Sequence, residues 1–404
     1  MNDITSELLL QRPFPCNDPK QALDHRIIMS DQTLVLITID AENSLKFENG
    51  CWSQCVNGHD PEDLETWFSL GLASRTSNGY RQVKNLGNRL HEARDLQDKC
   101  PTAASAIPAD QRLDNATSGL PLIFKSCRRF DAPCIVFLDV TGLYQYGHAE
   151  FAEACNLIMD TGHDLQTHIH PECLTQDWFD THDIQCPSKG TETQFWTRDT
   201  IYGVHRQVTE DLTRFKGSRP IAYRAGAYRI SNTIIDALVE LGYKVDSSYD
   251  ILNKKGHVQL DRDMLDQNAI MEYRGLIEAP ISAYQWGRKN QIKRFVGNKH
   301  AFDRIEMLKD FRQRGIRVVN YILHSYSLMQ VYGTDDDPRA KIGRKGPCHQ
   351  SIEHFEAELD YMQTSGEFKV VDTQGLLDHI AADPSILRGD GAIPIHHSVP
   401  SDIN

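Results

Sequence analysis

The chain contains 404 residues, of which 40% are hydrophobic and 25% are charged, a composition typical of folded globular proteins that excludes disorder as the global state. Asp and Glu outnumber Lys and Arg by 56 to 43, and the net charge of −13 argues against a nucleic-acid-binding surface. No segment approaches the roughly 18 apolar residues of a membrane span, and no signal-peptide pattern is present. The 10 cysteines are scattered, so we expect a reduced, cytoplasmic protein.

The first regular element is a buried strand. Residues Thr33–Ile39 are nearly all apolar or β-branched, which favours a strand that is covered on both faces. The strand leads directly into Asp40, Ala41 and Glu42. Because side chains alternate along an extended chain, the spacing of two places Asp40 and Glu42 on the same side of it.

Three segments lie outside the pattern of the central domain, which we place at residues 32–382. Residues 1–31 predict an irregular arm, and the Pro- and Gly-containing tail 383–404 is also predicted to be irregular. Residues 43–119 are rich in Gly, Asn and Ser and hold one clear helical pattern, Tyr80–Asp98. We interpret them as a large insertion after the first strand that covers the site or forms a subunit contact, which leaves a homo-oligomer open.

From residue 120 onward, strands and helices alternate. The apolar and β-branched runs predict strands at Pro133–Val140, Asp164–His168, Pro220–Tyr223, Lys244–Asp246, Arg317–Leu323 and Phe368–Val371. The helical patterns lie at Leu120–Phe130, Ala149–Thr161, Tyr202–Phe215, Asn232–Leu241, Ala301–Arg314, Ser351–Met362 and Gln374–Ile380. This alternation implies parallel β-α-β units, and we predict an α/β fold, a distorted (β/α)7-type barrel.

Polar residues stand at the carboxyl ends of the predicted strands. One strand delivers His168 and His170, which are two residues apart and therefore share a face. Three later strands end in Arg224, Asp246 and His324. Because the carboxyl ends of parallel barrel strands converge on the face where reactions occur, we expect these residues and Asp40 to form one site.

Carboxylates and imidazoles together suit a borderline divalent ion such as zinc. One such ion needs about three protein ligands and leaves a position for water, which loses a proton near neutral pH and attacks a carbonyl carbon. The sharper signal is the pair His168 and His170, because two imidazoles on one strand face are an economical metal pair. Taken singly, Asp40 is equally explained as a helix cap, Asp246 as a turn residue and His324 as a packed histidine.

A second cluster of potential ligands is a weaker signal. Cys51, Cys55 and His59 are spaced by four, but Asn57 and Gly58 would break a helix there, so we assign no second metal site. The sequence also shows no phosphate-cradling glycine loop and no GxSxG nucleophile motif.

The ordered segments resemble the motifs of the polysaccharide deacetylase superfamily, which is also called the NodB-homology or carbohydrate esterase 4 family. The family's motifs are a strand ending in Thr-Phe-Asp-Asp, a Gly-His-Glu segment with later histidines, an arginine before a tight turn, an aspartate after a Gly-Tyr strand, and an apolar strand ending in histidine. The matching segments of this chain are, in family order, Thr38–Glu42, Gly162–Glu172, Tyr223–Tyr228, Gly242–Ser248 and Tyr321–Ser325. The resemblance covers residues 31–41 and 120–380.

The resemblance implies a role for each strand-end residue. It makes Asp40 the catalytic base and His324 the general acid. It makes Arg224 the residue that orients Asp40, and Asp246 a support of the acid or base network. It also makes His168 a metal ligand.

The chain departs from the family pattern at two metal-binding positions. The family's second aspartate is Ala41 here, so Glu42 must supply that carboxylate, or Asp40 itself binds the metal. The second histidine normally falls four residues after the first, where this chain has Glu172, while His170 lies only two residues on. Strand geometry favours His170 over Glu172 because His170 shares a face with His168.

The implied function is that of a metal-dependent hydrolase, most simply an N-deacetylase of an N-acetylated amino sugar or glycan precursor. The expected cofactor is one divalent ion, Zn²⁺ in first place, with Ni²⁺, Co²⁺ and Fe²⁺ as alternatives. Two other hypotheses stay open at this point. One is an amidohydrolase that acts on a non-sugar C–N bond, and the other is a catalytically degenerate glycan-binding protein.

Overall fold

The computed structural model describes residues 32–41, 46–48, 51–53, 109–114, 116, 119–146, 148–171, 174–187, 193, 196–250, 252–253, 258–261, 268–286, 291–295, 301–332 and 343–387. The predicted arm, the predicted helix Tyr80–Asp98 and the carboxylates Glu42 and Glu172 lie outside these residues. The predictions made for them are therefore not tested by the structure.

The strands, in chain order, are β1 (Thr33–Ala41), β2 (Lys46–Glu48), β3 (Cys51–Ser53), β4 (Ile135–Asp139), β5 (Asp164–Ile169), β6 (Ala222–Ala225), β7 (Ile230–Ser231), β8 (Val245–Asp246), β9 (Val258–Gln259), β10 (Met271–Tyr273), β11 (Leu276–Glu278), β12 (Ala283–Trp286), β13 (Gln291–Arg294), β14 (Val318–His324), β15 (Met329–Tyr332), β16 (Gly343–Pro347) and β17 (Phe368–Val370). The helices are α1 (Ala109–Asp114), α2 (Gly119–Arg129), α3 (Thr141–Tyr146), α4 (His148–Asp160), α5 (Gln176–Thr181), α6 (Arg198–Lys216), α7 (Asn232–Glu240), α8 (Ala301–Gln313), α9 (His349–Thr364) and α10 (Thr373–Ala382).

The principal sheet has nine strands in the order β10-β11-β8-β6-β5-β4-β1-β14, with β17 also paired to β1. The pairings within this sheet are parallel except for the antiparallel β10–β11 hairpin. All nine residues of β1 are buried, as the continuous apolar run predicts for a strand covered on both faces. The sheet therefore has the parallel α/β character that the sequence predicts.

The two ends of the strand order are connected by single hydrogen bonds rather than by a regular ladder. On the β14 side, the backbone N–H of Asn320 donates to Ser282 Oγ at 2.9 Å, and that of Ile322 donates to the Phe295 carbonyl at 3.2 Å. The Asn320 side chain also donates to the Ala279 carbonyl, near the end of β11, at 3.1 Å. The barrel is therefore closed irregularly, and the predicted distorted (β/α) barrel is confirmed.

Several helices have side-chain caps that define their first turn. The Thr197 hydroxyl accepts a hydrogen bond from Thr200 N at the start of α6, and the Asp372 carboxylate accepts one from Gly375 N at the start of α10. The α6 helix ends at Gly217, whose φ of 77° is the left-handed conformation that glycine tolerates.

The interior of the barrel is layered along the strands. Alternate residues of β1 join two different apolar clusters: Leu34 and Leu36 belong to the cluster inside the barrel, whereas Val35 and Ile37 belong to the one beneath the helices. Since side chains alternate, the interior face of β1 ends in Thr38 and Asp40. Apolar residues thus fill one end of the barrel and polar residues occupy the carboxyl end.

The predicted strands all occur, with ends shifted by a few residues. The sheet adds β10 and β11, which the sequence analysis did not identify. Each of them has only three residues, too few to show a periodic pattern, and the turn between them at Arg274 and Gly275 has positive φ angles of 49° and 90°. None of the helices in the described part of the chain combines the length and the apolar composition of a membrane-crossing segment.

Candidate active site

The strand register brings the predicted residues together at the carboxyl end of the barrel. Asp40 pairs with His324 on the neighbouring strand β14. His168 on β5 pairs with Asp139 on one side and with Arg224 on the other. The parallel sheet therefore gathers these side chains at its carboxyl end, although they come from distant parts of the chain.

Arg224 is the most completely engaged side chain of the site and is fully buried. Its guanidinium lies 4.4 Å from the centre of the Phe137 ring. Its nitrogens donate to Asp40 Oδ1 at 2.7 Å, the Ser247 carbonyl at 3.0 Å, Ser247 Oγ at 2.8 Å, Thr38 Oγ1 at 3.0 Å and Asn320 Oδ1 at 3.4 Å. Its position and orientation are thus fixed by residues of β1 and β14, across the barrel, and by Ser247, which follows the neighbouring strand β8.

Asp40 is held ionised by its surroundings. Burial by itself would raise the pKa of this carboxyl group, but attraction to Arg224 and to His168 and His324, with the hydrogen bond from Arg224, lowers the pKa below its ordinary value. Arg224 occupies Oδ1, whereas the Tyr228 hydroxyl lies 3.5 Å from Oδ2. Oδ2 is therefore the oxygen of Asp40 that Arg224 does not bind, and it lies beside the Tyr228 hydroxyl.

The two histidines of β5 lie side by side, as their spacing predicts. Their ring centres are 5.0 Å apart with an interplanar angle of 80°. Nδ1 of His168 is 2.8 Å from the carbonyl of Arg224, and we assign the proton to Nδ1 because a carbonyl can only accept. This contact turns Nε2 of His168 into the ring nitrogen with which it would bind a metal.

His170 packs against the turn that follows β6. A Cβ atom at Gly226 would lie 2.8 Å from Cγ and Nδ1 of the His170 ring and 2.5 Å from the Ile169 carbonyl oxygen. Only glycine therefore allows the turn to approach the ring so closely. The arginine motif and the histidine motif are in contact through this residue.

The donors around His168 and His170 fit a divalent ion in type, because two buried imidazoles on one strand face are ordinary zinc or transition-metal ligands. Within the described residues, however, no three His, Cys, Asp or Glu side chains are close enough together to hold an ion. The predicted third ligand, Glu42, and its alternative, Glu172, lie outside those residues. The structure thus shows the histidine pair and does not test the carboxylate ligand.

His324 lies at the end of β14 beside Asp40. Its backbone N–H donates to Ser327 Oγ at 2.8 Å, and its ring stacks on Tyr326 with the ring centres 5.0 Å apart. It is one of the groups that lower the pKa of Asp40. It is therefore near enough to the carboxylate for the two to act on one substrate.

Asp246 occupies a different position from the other predicted residues. Its neighbour Val245 belongs to the interior cluster, so the Asp246 side chain points to the outer face of the sheet, like Tyr223 with which it pairs. Asp246 accepts hydrogen bonds from Ser248 Oγ at 2.6 Å and from Ser248 N at 3.2 Å. Asp246 therefore supports the site indirectly, through the backbone segment that carries Arg224.

Several residues of the site were not identified from the sequence. Thr38, Ser247 and Asn320 surround Arg224, and Tyr228 contacts Asp40. Asp139 ends β4, where its Oδ1 accepts hydrogen bonds from Thr141 N at 2.9 Å and from His170 N at 3.3 Å. A usable signal was the run Asp246-Ser247-Ser248 directly after a strand.

Comparison with known proteins gives structural likenesses only. No known family profile and no curated protein matches the sequence. A structure described as a polysaccharide deacetylase from Mycobacterium smegmatis is 14% identical, with a TM-score of 0.43, and the match covers 92% of this chain and 96% of that one. A polysaccharide deacetylase from Pseudomonas aeruginosa PAO1 is 12% identical, with a TM-score of 0.41 and coverage of 87% and 91%.

A third similar structure is described as Puue allantoinase. It is 13% identical, with a TM-score of 0.45, and the match covers 87% of this chain and 90% of that one. The descriptions of the first two structures name the superfamily that the five sequence motifs resemble. At these identities and TM-scores, none of the three assigns an activity to this chain.

Proposed function

We propose that this chain is a metal-dependent hydrolase of the deacetylase type that cleaves the amide bond of an N-acetylated amino sugar or glycan precursor. The observation that carries the proposal is the buried Asp40–Arg224 pair at the carboxyl end of the barrel, close enough to His168 and His324 for both to act on the Asp40 carboxylate. A fixed carboxylate beside imidazoles can supply the general base and the general acid for amide hydrolysis. The motif resemblance supports the acetylated-sugar substrate.

His168 and His170 would hold the metal, with Glu42 as the predicted third ligand. Zn²⁺ is the first candidate for this ligand set, and Ni²⁺, Co²⁺ and Fe²⁺ are alternatives. The chemistry that such an ion supplies is acidification of water and polarisation of a carbonyl group.

The chain's own residues would divide the proton transfers between them. Asp40 accepts a proton from the attacking water at Oδ2, because Arg224 occupies Oδ1. Arg224 keeps the carboxylate oriented and stabilises its ionised form. His324 donates a proton to the leaving nitrogen, so that the amine departs as the acetyl group is released.

The proposal is tested first by metal analysis. Purified wild-type protein is expected to contain close to one equivalent of a divalent metal, and His168→Ala and His170→Ala are each expected to lose it, because each removes a ligand. His349→Ala, which changes an exposed histidine of α9, is the matched control and keeps the metal. A wild-type protein that takes up no metal even after reconstitution contradicts the metal-dependent mechanism.

The second test is release of acetate. N-acetylglucosamine, N-acetylgalactosamine and their nucleoside-diphosphate forms are incubated with wild type and with Asp40→Asn. We expect the variant to lose about 10²–10⁴-fold in kcat, the usual contribution of a general base, and to keep its metal. Turnover by Asp40→Asn at the wild-type rate contradicts the base assignment, and cleavage of other amides without acetate release indicates a non-sugar amidohydrolase.

A second candidate function, a catalytically degenerate glycan-binding protein, is favoured by one observation. Ala41 stands at the position of the family's metal-binding aspartate. Glycan binding without metal and without hydrolysis under any added metal would support this alternative. The cytoplasmic location and the homo-oligomer stay predictions, which fractionation and light scattering would test.

A further inference from the structure

Two buried carboxyl groups face each other just outside the proposed active site. Asp246 on β8 and Glu278 on β11 are paired in the parallel register, and their side chains are 0% and 1% exposed. Both lie on the outer face of the sheet, since Leu276, two residues before Glu278, belongs to the outer cluster. Two adjacent carboxylates without water cannot both carry a charge at low cost.

The hydrogen bonds show which of the two groups is ionised. Both oxygens of Asp246 accept hydrogen bonds from Ser248, as an ionised carboxylate does. Oε1 of Glu278 accepts from Tyr249 N at 3.2 Å, whereas its buried Oε2 has no donor within the described residues. An ionised oxygen in that position would be left unsolvated, but a protonated oxygen is itself a donor.

We propose that Glu278 is a positioning residue that carries a proton at neutral pH and donates it from Oε2 to Asp246. The pKa values agree in direction. Burial and the neighbouring Asp246 raise the pKa of Glu278 well above its ordinary value. Burial also raises the pKa of Asp246, while the hydrogen bonds from Glu278 and Ser248 act in the opposite direction.

The donated proton fixes a chain of hydrogen bonds that leads to the site. Asp246 accepts from Ser248 Oγ, and Ser248 Oγ in turn accepts from Ala225 N at 2.9 Å. Ala225 stands between Arg224, which binds Asp40, and Gly226, which packs against His170. The carboxyl pair thus holds the segment of chain that positions both Arg224 and Gly226.

The charge of the pair also matters for the site. The charged and titratable groups that face Glu278 are Asp246 on β8 and Arg224 on β6. With one shared proton the pair carries a single negative charge behind Arg224. If both carboxyl groups were ionised, they would repel each other and would compete with Asp40 for the Arg224 guanidinium.

The shared proton is tested by equilibrium unfolding in urea between pH 7 and pH 9. Folding takes up one proton that unfolded Glu278 does not bind, so the unfolding equilibrium constant of wild type should rise with pH, by up to tenfold per pH unit relative to Glu278→Gln. Glutamine mimics the protonated acid and needs no proton. Glu353→Gln, an exposed position of α9, is the control and should parallel wild type.

Parallel curves for wild type and Glu278→Gln overturn the shared proton. If Glu278→Gln does not fold, the pH dependence of unfolding of Asp246→Asn is compared with that of wild type instead. In this variant Glu278 no longer shares a proton with a second carboxyl group, so it is free to ionise and to accept a hydrogen bond from the asparagine amide. The unfolding experiment needs no substrate, so it tests the shared proton whether or not the chain is a deacetylase.

The positioning role rests on the proposed function and is tested by kinetics. Glu278→Gln is expected to keep kcat within about threefold of wild type, whereas Glu278→Leu, which cannot donate to Asp246, should lose at least tenfold in kcat with KM unchanged. Equal kcat values for Glu278→Gln and Glu278→Leu overturn the positioning role. This holds when both variants keep the wild-type kcat and also when both lose it to the same extent, because the effect would then not depend on a neutral hydrogen-bond donor at residue 278.

Discussion

Arg224 determines the ionisation of the proposed base. Its guanidinium binds Asp40 and donates at the same time to Ser247 and Thr38. Lysine is a point charge with a flexible stem and cannot reproduce this planar set of contacts. The residue therefore sets both the geometry and the charge of Asp40.

We predict that Arg224→Lys raises the pKa of Asp40, because the hydrogen bond and part of the attraction that stabilise the carboxylate are lost. The acid limb of the kcat/KM pH profile should move to higher pH, since the base is then protonated at higher pH. The free energy of unfolding should fall by about 1–3 kcal/mol for the buried hydrogen bonds left unmade. Activity profiles and urea unfolding measure the two effects.

Arg274→Lys is the matched control for this substitution. Arg274 also binds a carboxylate through two nitrogens, but it and its partner Asp236 are 39% and 40% exposed at the surface. Exposed ion pairs contribute about 0–1 kcal/mol, so this change should leave both the profile and the stability near wild type. An Arg224→Lys protein that behaves like the control contradicts the role of Arg224.

At the scale of single residues, the sequence predicted most of the charged groups of the site, with Asp139 as an exception, and not their neutral partners. Asp40, Arg224 and the histidines stand out because charged and imidazole groups are rare at the ends of buried strands. Thr38 is an ordinary strand residue, and Asn320 is a single neutral polar residue within an apolar strand, which does not by itself indicate a partner. The pairing of β1 with β14 brings them to each other and the curvature of the barrel brings both to Arg224, and contacts between distant strands have no local signal.

At the scale of elements, the turn after β6 connects the arginine motif to the histidine pair. Ala227 and Tyr228 both have positive φ angles, 51° and 54°, which cost energy in residues other than glycine. The side-chain amide of Asn253 donates to both of their carbonyls, at 3.0 and 3.1 Å. The turn is therefore held in a strained shape that puts Tyr228 beside Asp40.

We predict that Gly226→Ala disturbs the metal site from within this turn. The added Cβ would overlap the His170 ring and the Ile169 carbonyl, so the ring must move. Displacing a ligand or its support typically costs 10–100-fold in metal affinity, roughly the loss expected here. Competition with a chromophoric chelator measures the affinity directly, without any substrate.

Gly203→Ala on α6 provides the comparison for that experiment. The nearest atoms to its added Cβ would belong to the flexible Ile184 side chain, at 3.2 Å. Gly203 lies on α6, whereas His168 and His170 belong to β5 and the residue after it. We expect its metal affinity to equal that of wild type. Unchanged affinity in Gly226→Ala as well would show that His170 is not a ligand.

The longest elements were predicted, and most of the missed ones are short, although the short strands β8 and β17 were also predicted. The nine-residue strand β1 has a continuous apolar run and the 19-residue helix α6 has a helical pattern, and both were identified. β10 and β11 have three residues each, and the short helices α3 and α5 have six. Their formation depends on contacts with the rest of the barrel, which a local pattern does not contain.

At the scale of the whole molecule, two buried histidines couple folding to pH. His163 accepts a hydrogen bond from Cys134 N at Nδ1, and His205 makes contacts with the Ile201 carbonyl and the Tyr223 hydroxyl. Burial lowers the pKa of each to about 4, from an ordinary value of 6.5. Both are therefore neutral in the folded protein at pH 7.

The direction of the pH effect follows from where each state binds protons. Above pH 6.5 both histidines are neutral in the folded and the unfolded chain, and their contribution to stability is fully present. As the pH falls from 6.5 towards 4, the unfolded chain takes up protons that the folded protein refuses, so stability is lost. A difference of about 2.5 pKa units corresponds to a loss on the order of 3 kcal/mol for each histidine once the pH has fallen to the folded-state pKa of about 4.

We therefore predict that His205→Gln flattens the dependence of unfolding free energy on pH between 6.5 and 4, although it lowers stability at pH 7 by removing the fitted ring. Glutamine has no proton to gain in this range, so about half of the acid loss that the two histidines cause should disappear. His349→Gln, at an exposed histidine, should keep the full wild-type slope. Since the pKa of Asp40 is lowered from its ordinary value of 3.8, the stability that Asp40 contributes is lost only below this pH range, and that loss is shared by all three proteins. A slope in His205→Gln equal to that of wild type would mean that this ring is protonated in the folded barrel.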